Sequence, residues 1–452
     1  MEPFVRSNRE TILDLVKREK IDFISLQFVD LFGTTKSVSI PVDKLGGAID
    51  DNVWFDGSSI SGFARIFESD MFLKLDLPTF AIEPWSTKNG GYRTARIICD
   101  VYRADGQPYE GCPRHILKKQ IKKLKERGFD NYHIGPEPEF HIFRKDDDGR
   151  IKPLPHDYAG YFDQSTDLAG EIRREMASAL MAMHIDVEAL HHEVAHGQHE
   201  IDFKYADAVK TADNVLTLKY VLKTISASHG LHATFMPKPI YGICGNGMHV
   251  NQSLFRGGMN AFYDEHDSYN LSQLAKSFIA GQLKYIRQFN AITNPIVNSY
   301  KRLVVGYEAP VYITWARQNR SSLIRIPRLT AGNHNATRIE LRCPDPACNP
   351  YLTFAVALAA GLKGVDENLT PPNPSEERNL FQLSEEEMQQ EGIESVCGNL
   401  YEAICEMEKS EFVHDVLGDH AFYTFINAKK KEWDEYRQQV SQWELDTYLE
   451  RY

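Results

Sequence analysis

The sequence predicts an α+β protein built from two domains, and three observations lead to that class. The chain has 452 residues, 42% of them hydrophobic and 25% charged, which is typical of a globular protein with room for one to three domains. Helix-like and strand-like hydrophobic periodicities alternate irregularly and without a fixed-period repeat. A turn-rich segment at 104–113 divides the chain, so we predict domains at 1–105 and 106–452.

Each element follows from its periodicity. Residues 8–20 carry apolar side chains on one helical stripe, and 21–29 alternate as a strand does. Strand-like stretches continue to about residue 101, so the first domain is a small α+β unit. In the second domain we predict helices at 114–127, 169–184 and 354–362, strands at 132–143, near 188–203 and at 232–255, and an aromatic-rich helix over 429–452 that needs a partner surface.

Charge and composition argue against several functional classes. The net charge of −12 disfavours nucleic acid as a partner. The longest apolar run, at 354–362, is far shorter than the roughly 20 residues that span a bilayer, and the N-terminus carries no visible secretory signal. Seven cysteines without a C-x-x-C pair indicate reduced thiols, so we expect a cytoplasmic protein without a cysteine-based zinc site.

Four strand-like segments concentrate groups that bind metal ions. Glu137 and Glu139 are two residues apart and therefore project from one face of a strand, and 188–200 adds more carboxylates and imidazoles. The other two faces carry His249, Asn251 and Ser253, and Arg338, Glu340 and Arg342. One such segment alone is as typical of a solvated strand, but together they offer five or six Glu and one or two His. These oxygen-rich donors suit two Mg²⁺ or Mn²⁺ ions.

An arginine-rich window lies beside the last of these segments. Residues 317–342 contain six arginines, no lysine and one acid, Glu340. Arginine holds carboxylate or phosphate bidentately, and without an aromatic platform the window favours a small polyanionic substrate over nucleic acid. Metal carboxylates that face arginines suit phosphoryl transfer. Because the P-loop and dinucleotide motifs are absent, a bound nucleotide requires an unusual fold.

One motif points to a different class of enzyme. Residues 192–196 fit the H-E-x-x-H signature of zinc proteases, which requires a helix. Gly197 follows at once and the next residues are strand-like. We interpret the match as chance within a histidine-rich segment.

Eight motifs lie in order between residues 56 and 342. They are Asp56-Gly-Ser-Ser-Ile60, Gly135-Pro-Glu-Pro-Glu-Phe140, His191-His-Glu with Gly197-Gln-His-Glu200, Gly245-Asn-Gly-Met-His249, Asn298-Ser-Tyr-Lys-Arg-Leu303, Gly306-Tyr-Glu-Ala-Pro310, Asn319-Arg-Ser321 and Arg338-Ile-Glu-Leu-Arg342. Jointly they resemble type I glutamine synthetase over essentially the whole chain. The resemblance implies a β-grasp-like N-terminal domain and a large catalytic domain with a curved antiparallel sheet and surrounding helices. It also implies a homo-dodecamer of two stacked hexameric rings that share active sites between neighbours.

The resemblance implies an activity and its ligands. The activity is ATP-dependent ligation of ammonium to the γ-carboxylate of L-glutamate, through γ-glutamyl phosphate, in central nitrogen assimilation. One Mg²⁺ or Mn²⁺ ion is assigned to Glu139, Glu193 and Glu200, and the other to Glu137, His249 and Glu340. ATP is assigned to Glu188, Phe203, Asn251, Ser253, Arg320 and Arg325.

The remaining roles concern glutamate and ammonium. Substrate contacts are assigned to Ser59, Cys244, Gly245, His249, Arg302, Glu308, Arg320 and Arg342, the last two facing the phosphate and the reacting carboxylate. Asp56 of a neighbouring subunit attracts ammonium and takes its proton, while Glu308 closes the site against water. Three residues depart from the family pattern: Cys244 replaces an Asn, and His196 and Val305 replace prolines.

Regulation and competing functions can also be read from the resemblance. Arg65 matches the arginine of the feedback-inhibited subgroup, so we expect inhibition by glutamine. Residues 379–381 carry no tyrosine, so we expect no adenylylation; small regulatory proteins stay an open alternative. A ligase for a larger amine is disfavoured by Asp56, Ser59 and Glu308. A silent scaffold is disfavoured because all six metal-ligand positions are filled.

Overall fold

The computed structural model describes residues 8–58, 60, 62, 70–86, 91–307, 309–319, 321–329, 332–375, 380 and 385–452. Helices and strands in these ranges form two sheets with two hydrophobic cores, which confirms the α+β class. Among the described helices, none combines the length and apolar character needed to cross a membrane.

The first sheet belongs to the N-terminal part of the chain. Its strands are β1 (Phe23–Val29), β2 (Thr35–Pro41), β3 (Val53–Asp56), β4 (Asp70–Leu75), β5 (Ala81–Ile82) and β6 (Thr94–Arg103), with helices α1 (Arg9–Arg18) and α2 (Leu45–Asp51). The order is β2-β1-β6-β4-β3, with β5 also on β6. Only β1 and β6 of these pair in parallel. The α1 stripe predicted from sequence is confirmed, because Ile12 and Val16 enter the core of this unit.

The second sheet carries most of the polar residues singled out above. Its strands are β7 (Asn131–Lys145), β8 (Ile151–Pro155), β9 (Val187–His192), β10 (Gln198–Phe203), β11 (Ala206–Asp207), β12 (Leu231–Thr234), β13 (Met248–Arg256), β14 (Met259–Asn260), β15 (Tyr312–Ala316), β16 (Ser322–Arg325) and β17 (Ile339–Leu341). The main order is β15-β16-β17-β13-β7-β10-β9. Strands far apart in sequence, such as β17 and β13, thereby become neighbours.

Helices surround this sheet. They are α3 (Pro113–Glu126), α4 (Gly170–Ala182), α5 (Ala208–Ser228), α6 (Gln273–Thr293), α7 (Ser299–Arg302), α8 (Pro350–Asp366), α9 (Glu385–Gln390), α10 (Leu400–Glu408), α11 (Glu411–Leu417), α12 (Asp419–Tyr436) and α13 (Gln442–Tyr448). The predictions of α3, α4 and α8 are confirmed. The backbones of α6 and α8 meet at Gly281 and Gly364, where a Cβ on Gly364 would lie 2.2 Å from the Ser277 carbonyl oxygen. Only glycine permits so close a crossing.

One predicted helix is divided in the structure, and two of the strand-like ranges each contain a pair of strands. The single helix expected over 429–452 is two helices, because Ser441 and Glu444 form a capping box that starts α13 anew. The strands expected near 188–203 are β9 and β10, and those expected near 232–255 are β12 and β13. Pro237 and Pro239, which cannot donate to a ladder, lie between β12 and β13. The exposed Trp443 and Leu449 keep α13 a candidate for a partner contact.

A buried arginine ties the two parts of the chain together. Arg114 of α3 is 3% exposed and donates from Nε to Asp213 Oδ1 at 3.0 Å, from Nη1 to Asp100 Oδ1 at 2.8 Å and from Nη2 to Asp76 Oδ2 at 2.6 Å. Burial raises the pKa of Asp100, but Arg114 and Lys118 outweigh it and hold that pKa below its ordinary value. Each carboxylate of this cluster is therefore paired with a cation of the cluster itself.

Candidate active site

Strand pairing brings three predicted metal ligands from three strands together. In the β7–β13 ladder His249 lies opposite Glu137, and in the β13–β17 ladder Asn251 lies opposite Glu340. His249 Nδ1 is 3.3 Å from Glu137 Oε2 and 3.8 Å from Glu340 Oε1. One ligand atom from each of the three residues lies within 4.8 Å of the others. The structure therefore brings together Glu137, His249 and Glu340 as a cluster able to hold a cation.

Arginines partly neutralise this first cluster. Glu340 is fully buried and accepts hydrogen bonds from Arg325 Nε and, at 3.0 Å, from Arg342 Nη1. Burial raises the pKa of Glu137, but hydrogen bonds from His249 and from the amide of Asn251 overcome it and lower that pKa to about 2. Burial also lowers the pKa of His249, which favours the neutral imidazole that binds metals.

The second group of predicted ligands surrounds Glu139 and Glu200. These two residues lie opposite each other in the β7–β10 ladder, and Glu193 follows directly after β9. His191 connects two of the carboxylates: its Nε2 is 3.3 Å from Glu200 Oε1 and its Nδ1 is 3.5 Å from Glu193 Oε1. His191, Glu200 and Asp202 each contribute one atom to a cluster within 4.8 Å.

The carboxylates of the second group repel one another. Burial, followed by repulsion from Glu200 and Glu193, raises the pKa of Glu139 far above its ordinary range. Burial and the neighbouring carboxylates, Asp202 first, raise the pKa of Glu200 to about 10. A divalent cation among these oxygens would relieve both penalties, so the donor set fits Mg²⁺ or Mn²⁺.

Hydrogen bonds orient one of these carboxylates. Glu139 Oε2 accepts from Gln198 Nε2 at 2.9 Å and from the Gly247 backbone N–H at 2.8 Å. Gln198 also reaches the Gly245 carbonyl oxygen at 3.1 Å. Strand β7, which carries the predicted metal ligand Glu139, and the segment predicted to bind glutamate therefore share one hydrogen-bond network.

A cavity of about 410 Å³ borders the first cluster. Its lining includes four of the six residues expected to contact ATP, namely Glu188, Phe203, Asn251 and Ser253, together with the predicted metal ligand Glu137. Arg325 is not part of this lining; its Nε donates to Glu340 of the first cluster.

The segment predicted to hold glutamate is tightly packed. A Cβ on Gly245 would lie 2.2 Å from the Pro237 carbonyl oxygen, so only glycine fits there. Arg302 is buried and donates to the carbonyl oxygens of Cys343 at 2.8 Å and Arg342 at 3.2 Å. Cys244 is half-buried at the start of this segment.

Asp56 lies apart from this group. It is exposed on β3, in the first sheet, and its Oδ1 accepts from the Ser58 backbone N–H at 2.8 Å. Hydrogen bonds from Ser58 lower the pKa of Asp56, so the carboxylate form is favoured. Four other residues with predicted roles, Ser59, Arg65, Glu308 and Arg320, lie outside the described residues.

Sequence reasoning missed several residues of the site. Asp202 follows Glu200 by two positions on one strand, so the same period-2 signal that paired Glu137 with Glu139 could have found it. Arg338, which the sequence put on the polar face of its strand without assigning it a role, lines the cavity and donates from Nε to Asn251 Oδ1 at 3.0 Å. The H-E-x-x-H match is not helical: β9 ends at His192, and Gly197, with φ of +67°, turns the chain into β10.

Comparison with known proteins agrees with this arrangement. Residues 20–104 match the family model of the glutamine synthetase β-grasp domain, and residues 110–448 match that of the glutamine synthetase catalytic domain. The glutamine synthetase of Clostridium saccharobutylicum is 52% identical over 445 residues, 98% of this chain and 99% of that protein. That of Thermus thermophilus is 51% identical over 445 residues, 98% of each.

Solved structures agree as well. The cryo-EM structure of Plasmodium falciparum glutamine synthetase has a TM-score of 0.87 and 28% identity, covering 99% of this chain and 100% of that one. A GmaS/ADP complex has a TM-score of 0.85 and 29% identity, covering 97% and 99%. The expected combination of a β-grasp domain and a large catalytic domain is thus confirmed.

Proposed function

This chain belongs to the glutamine synthetase family, and on that premise we propose how its residues carry out the reaction. The enzyme joins ammonium to the γ-carboxylate of L-glutamate and converts ATP to ADP and phosphate, the central step of nitrogen assimilation. One observation carries the proposal. Residues predicted to bind metal lie opposite one another on neighbouring strands, beside a cavity whose lining includes four of the six residues expected to contact ATP.

The family uses divalent metal ions, and we assign two per site. Glu139, Glu193 and Glu200 hold one Mg²⁺ or Mn²⁺ ion, and Glu137, His249 and Glu340 hold the other. The raised pKa values of Glu139 and Glu200 support the first assignment, because these carboxylates lack enough positive charge around them. Bound ions supply charge neutralisation during phosphoryl transfer.

ATP occupies the cavity of about 410 Å³. Glu188, Phe203, Asn251 and Ser253 line it, and the presence of Glu137 in the lining supports an orientation with the phosphates toward the metal ligands. We add Arg338 to this set because its guanidinium lines the same cavity. Arg320 and Arg325 complete the predicted contacts to ATP.

Glutamate binds beside the 244–247 segment. A carboxylate accepts a nucleophile poorly until one oxygen becomes a phosphate leaving group, so ATP first phosphorylates it to γ-glutamyl phosphate. Arg342 and Arg320 neutralise the negative charge that builds during this transfer. Ser59, Cys244, Gly245 and Arg302 hold the substrate, and Glu308 closes the site so that water cannot intercept the acyl phosphate.

Ammonium requires a base, and we assign Asp56. Its carboxylate attracts the cation and takes a proton, which leaves ammonia able to attack. Because Asp56 lies in the first sheet rather than among the metal ligands of its own chain, we propose that it serves a neighbouring subunit. From the family resemblance we further propose that the subunits form a homo-dodecamer of two hexameric rings. The exposed Trp54 on the same strand offers a contact surface for such a neighbour.

Regulation and location complete the proposal. We propose feedback inhibition by glutamine through Arg65 and a cytoplasmic location with reduced thiols. Glutamine sensitivity should fall in an Arg65→Ala variant, and an unchanged response would contradict this role. We also propose no adenylylation at 379–381, so an AMP adduct there in the intact protein mass would overturn it.

The central test is an assay of ADP and phosphate release with glutamate and Mg²⁺. It is run with ammonium, without an amine, and with methylamine or a polyamine in its place, while glutamine is followed by mass. We expect turnover only with ammonium, and glutamine as the product. Turnover restricted to a larger amine, or none in any arm, would contradict the proposal.

A further inference from the structure

Gln198 occupies an unusual position behind the metal-binding strands. It is 1% exposed, and its side-chain amide faces three acceptors at once. Nε2 is 2.9 Å from Glu139 Oε2, 3.1 Å from the Gly245 carbonyl oxygen and 3.3 Å from Asn246 Oδ1. Its Oε1 accepts from the Ala195 backbone N–H at 3.2 Å, which fixes the orientation of the amide.

The same amide determines which oxygen of Glu139 is available to a ligand. Gln198 and the Gly247 N–H both donate to Oε2, so Oε1 is the oxygen that these two donors leave unused. Since both donors are neutral, they orient the carboxylate without cancelling its charge. Glu139 is thereby held in one orientation while its attraction for a cation is preserved.

A second chain of contacts anchors the glutamate segment to the same amide. Asn246 is fully buried, donates from Nδ2 to the Met236 carbonyl oxygen at 2.8 Å and accepts from His141 Nδ1 at 2.8 Å. The Glu139 backbone N–H in turn donates to the Gly247 carbonyl oxygen at 3.0 Å. A shift of Glu139 therefore moves the 245–247 backbone, and the reverse also holds.

We propose that Gln198 is a positioning residue that couples cation binding at Glu139 to glutamate binding at residues 244–247. This inference rests on the proposed function, because it uses the metal and glutamate assignments made there. Coupling through one shared element is reciprocal, so glutamate strengthens metal binding by the same factor as metal strengthens glutamate binding. A buried glutamine that only fills space would leave both affinities independent of each other.

The test compares Gln198→Met with Gln120→Met in the full-length protein. Gln120 is also a buried glutamine, but it lies on α3 and donates to the Val416 carbonyl oxygen, so it controls for the loss of a buried amide. Mn²⁺ alone is titrated with and without L-glutamate, and free Mn²⁺ is measured by electron paramagnetic resonance. This readout does not depend on turnover.

We expect Gln198→Met to weaken Mn²⁺ binding at the Glu139 site by about 10- to 100-fold and to abolish the effect of glutamate. Gln120→Met should match the wild type in both. A folded Gln198→Met protein with wild-type Mn²⁺ affinity and an intact glutamate effect would overturn this inference and leave the proposed function unaffected. A wild type that binds no Mn²⁺ would instead overturn the metal assignment on which it rests.

A second variant keeps the test decisive if Gln198→Met does not fold. Gln198→Asn keeps a buried amide but shortens the side chain by one methylene, which withdraws the donor from Glu139 and Gly245. We expect the glutamate effect on Mn²⁺ binding to disappear in this variant too. Retention of the effect would contradict the coupling role.

Discussion

Two clusters of buried carboxylates in this protein balance their charge in opposite ways. At the contact between its two parts, Arg114 bonds directly to Asp76, Asp100 and Asp213, and Lys118 adds a second cation. In the candidate site, Glu139 accepts only neutral hydrogen bonds among those described, while Glu200 and Glu193 repel it. A buried acidic cluster that contains its own cations stabilises the fold. One that is left with excess negative charge is built to receive a cation.

Removing Arg114 from the cluster between the two parts of the chain should have the largest effect on stability. Arg114→Met leaves the buried Asp213 and the half-buried Asp76 without their main partner, so we expect a loss of about 3–5 kcal/mol in the free energy of unfolding. Denaturant unfolding measures it. Arg127→Met, which breaks an exposed pair with Asp366, serves as the control and should cost about 1 kcal/mol or less. Equal losses in the two variants would abolish the distinction drawn above.

Removing a carboxylate from the group around Glu139 and Glu200 should have the opposite effect on stability. Glu200→Gln is expected to lower ligase activity by about 100-fold or more, because a proposed metal ligand is lost. In EDTA, the same variant should unfold at a higher temperature than the wild type, since a neutral amide avoids the free-energy cost of burying the Glu200 carboxyl beside Asp202 and Glu193. Scanning calorimetry together with the ligase assay checks both signs. A lower unfolding temperature would show that the cluster stabilises the metal-free fold.

Adding Mn²⁺ tests directly whether the carboxylates around Glu139 and Glu200 receive a cation. At ten times its dissociation constant, Mn²⁺ should stabilise the wild type by about 1.4 kcal/mol, the value given by RT ln(1 + [L]/Kd). The gain should shrink in Glu200→Gln and persist in Arg127→Met. Thermal unfolding with and without Mn²⁺ measures it. A similar gain in Glu200→Gln would place the ion elsewhere.

Acidification should reveal a smaller contribution to stability from the cluster around Arg114. Because the folded-state pKa of Asp100 lies below its ordinary value of 3.8, its stabilising contribution is present above about pH 4 and is lost as the pH falls through the folded pKa. Lys118→Met weakens the pairing that lowers this pKa, so the acid-side loss should shrink by about 1 kcal/mol or less. Unfolding free energies between pH 6 and pH 3 test this. An unchanged slope would assign the acid sensitivity to other carboxylates.

The sequence by itself determined the chemistry of the site. Period-2 spacing placed Glu137 with Glu139 and His249 with Asn251 on strand faces, because alternate side chains of a strand project to one side. Motif order then assigned all six metal ligands, and the structure brings three of them, Glu137, His249 and Glu340, into one cluster. The α+β class and helices α3, α4 and α8 also followed from local periodicity.

Only the tertiary structure decided which of these groups meet and how their charges balance. Helices α5 and α6 received no prediction, and α5 has its hydrophobic residues spread around much of its surface, which gives no clear stripe. Gln198 gained its position from the pairing of β7 with β10, which joins residues about 60 positions apart. The contrast between a cluster paired with its own cations and a proposed cation site has the same origin. Burial and long-range neighbours set the cost of a charge, and neither is encoded by local spacing.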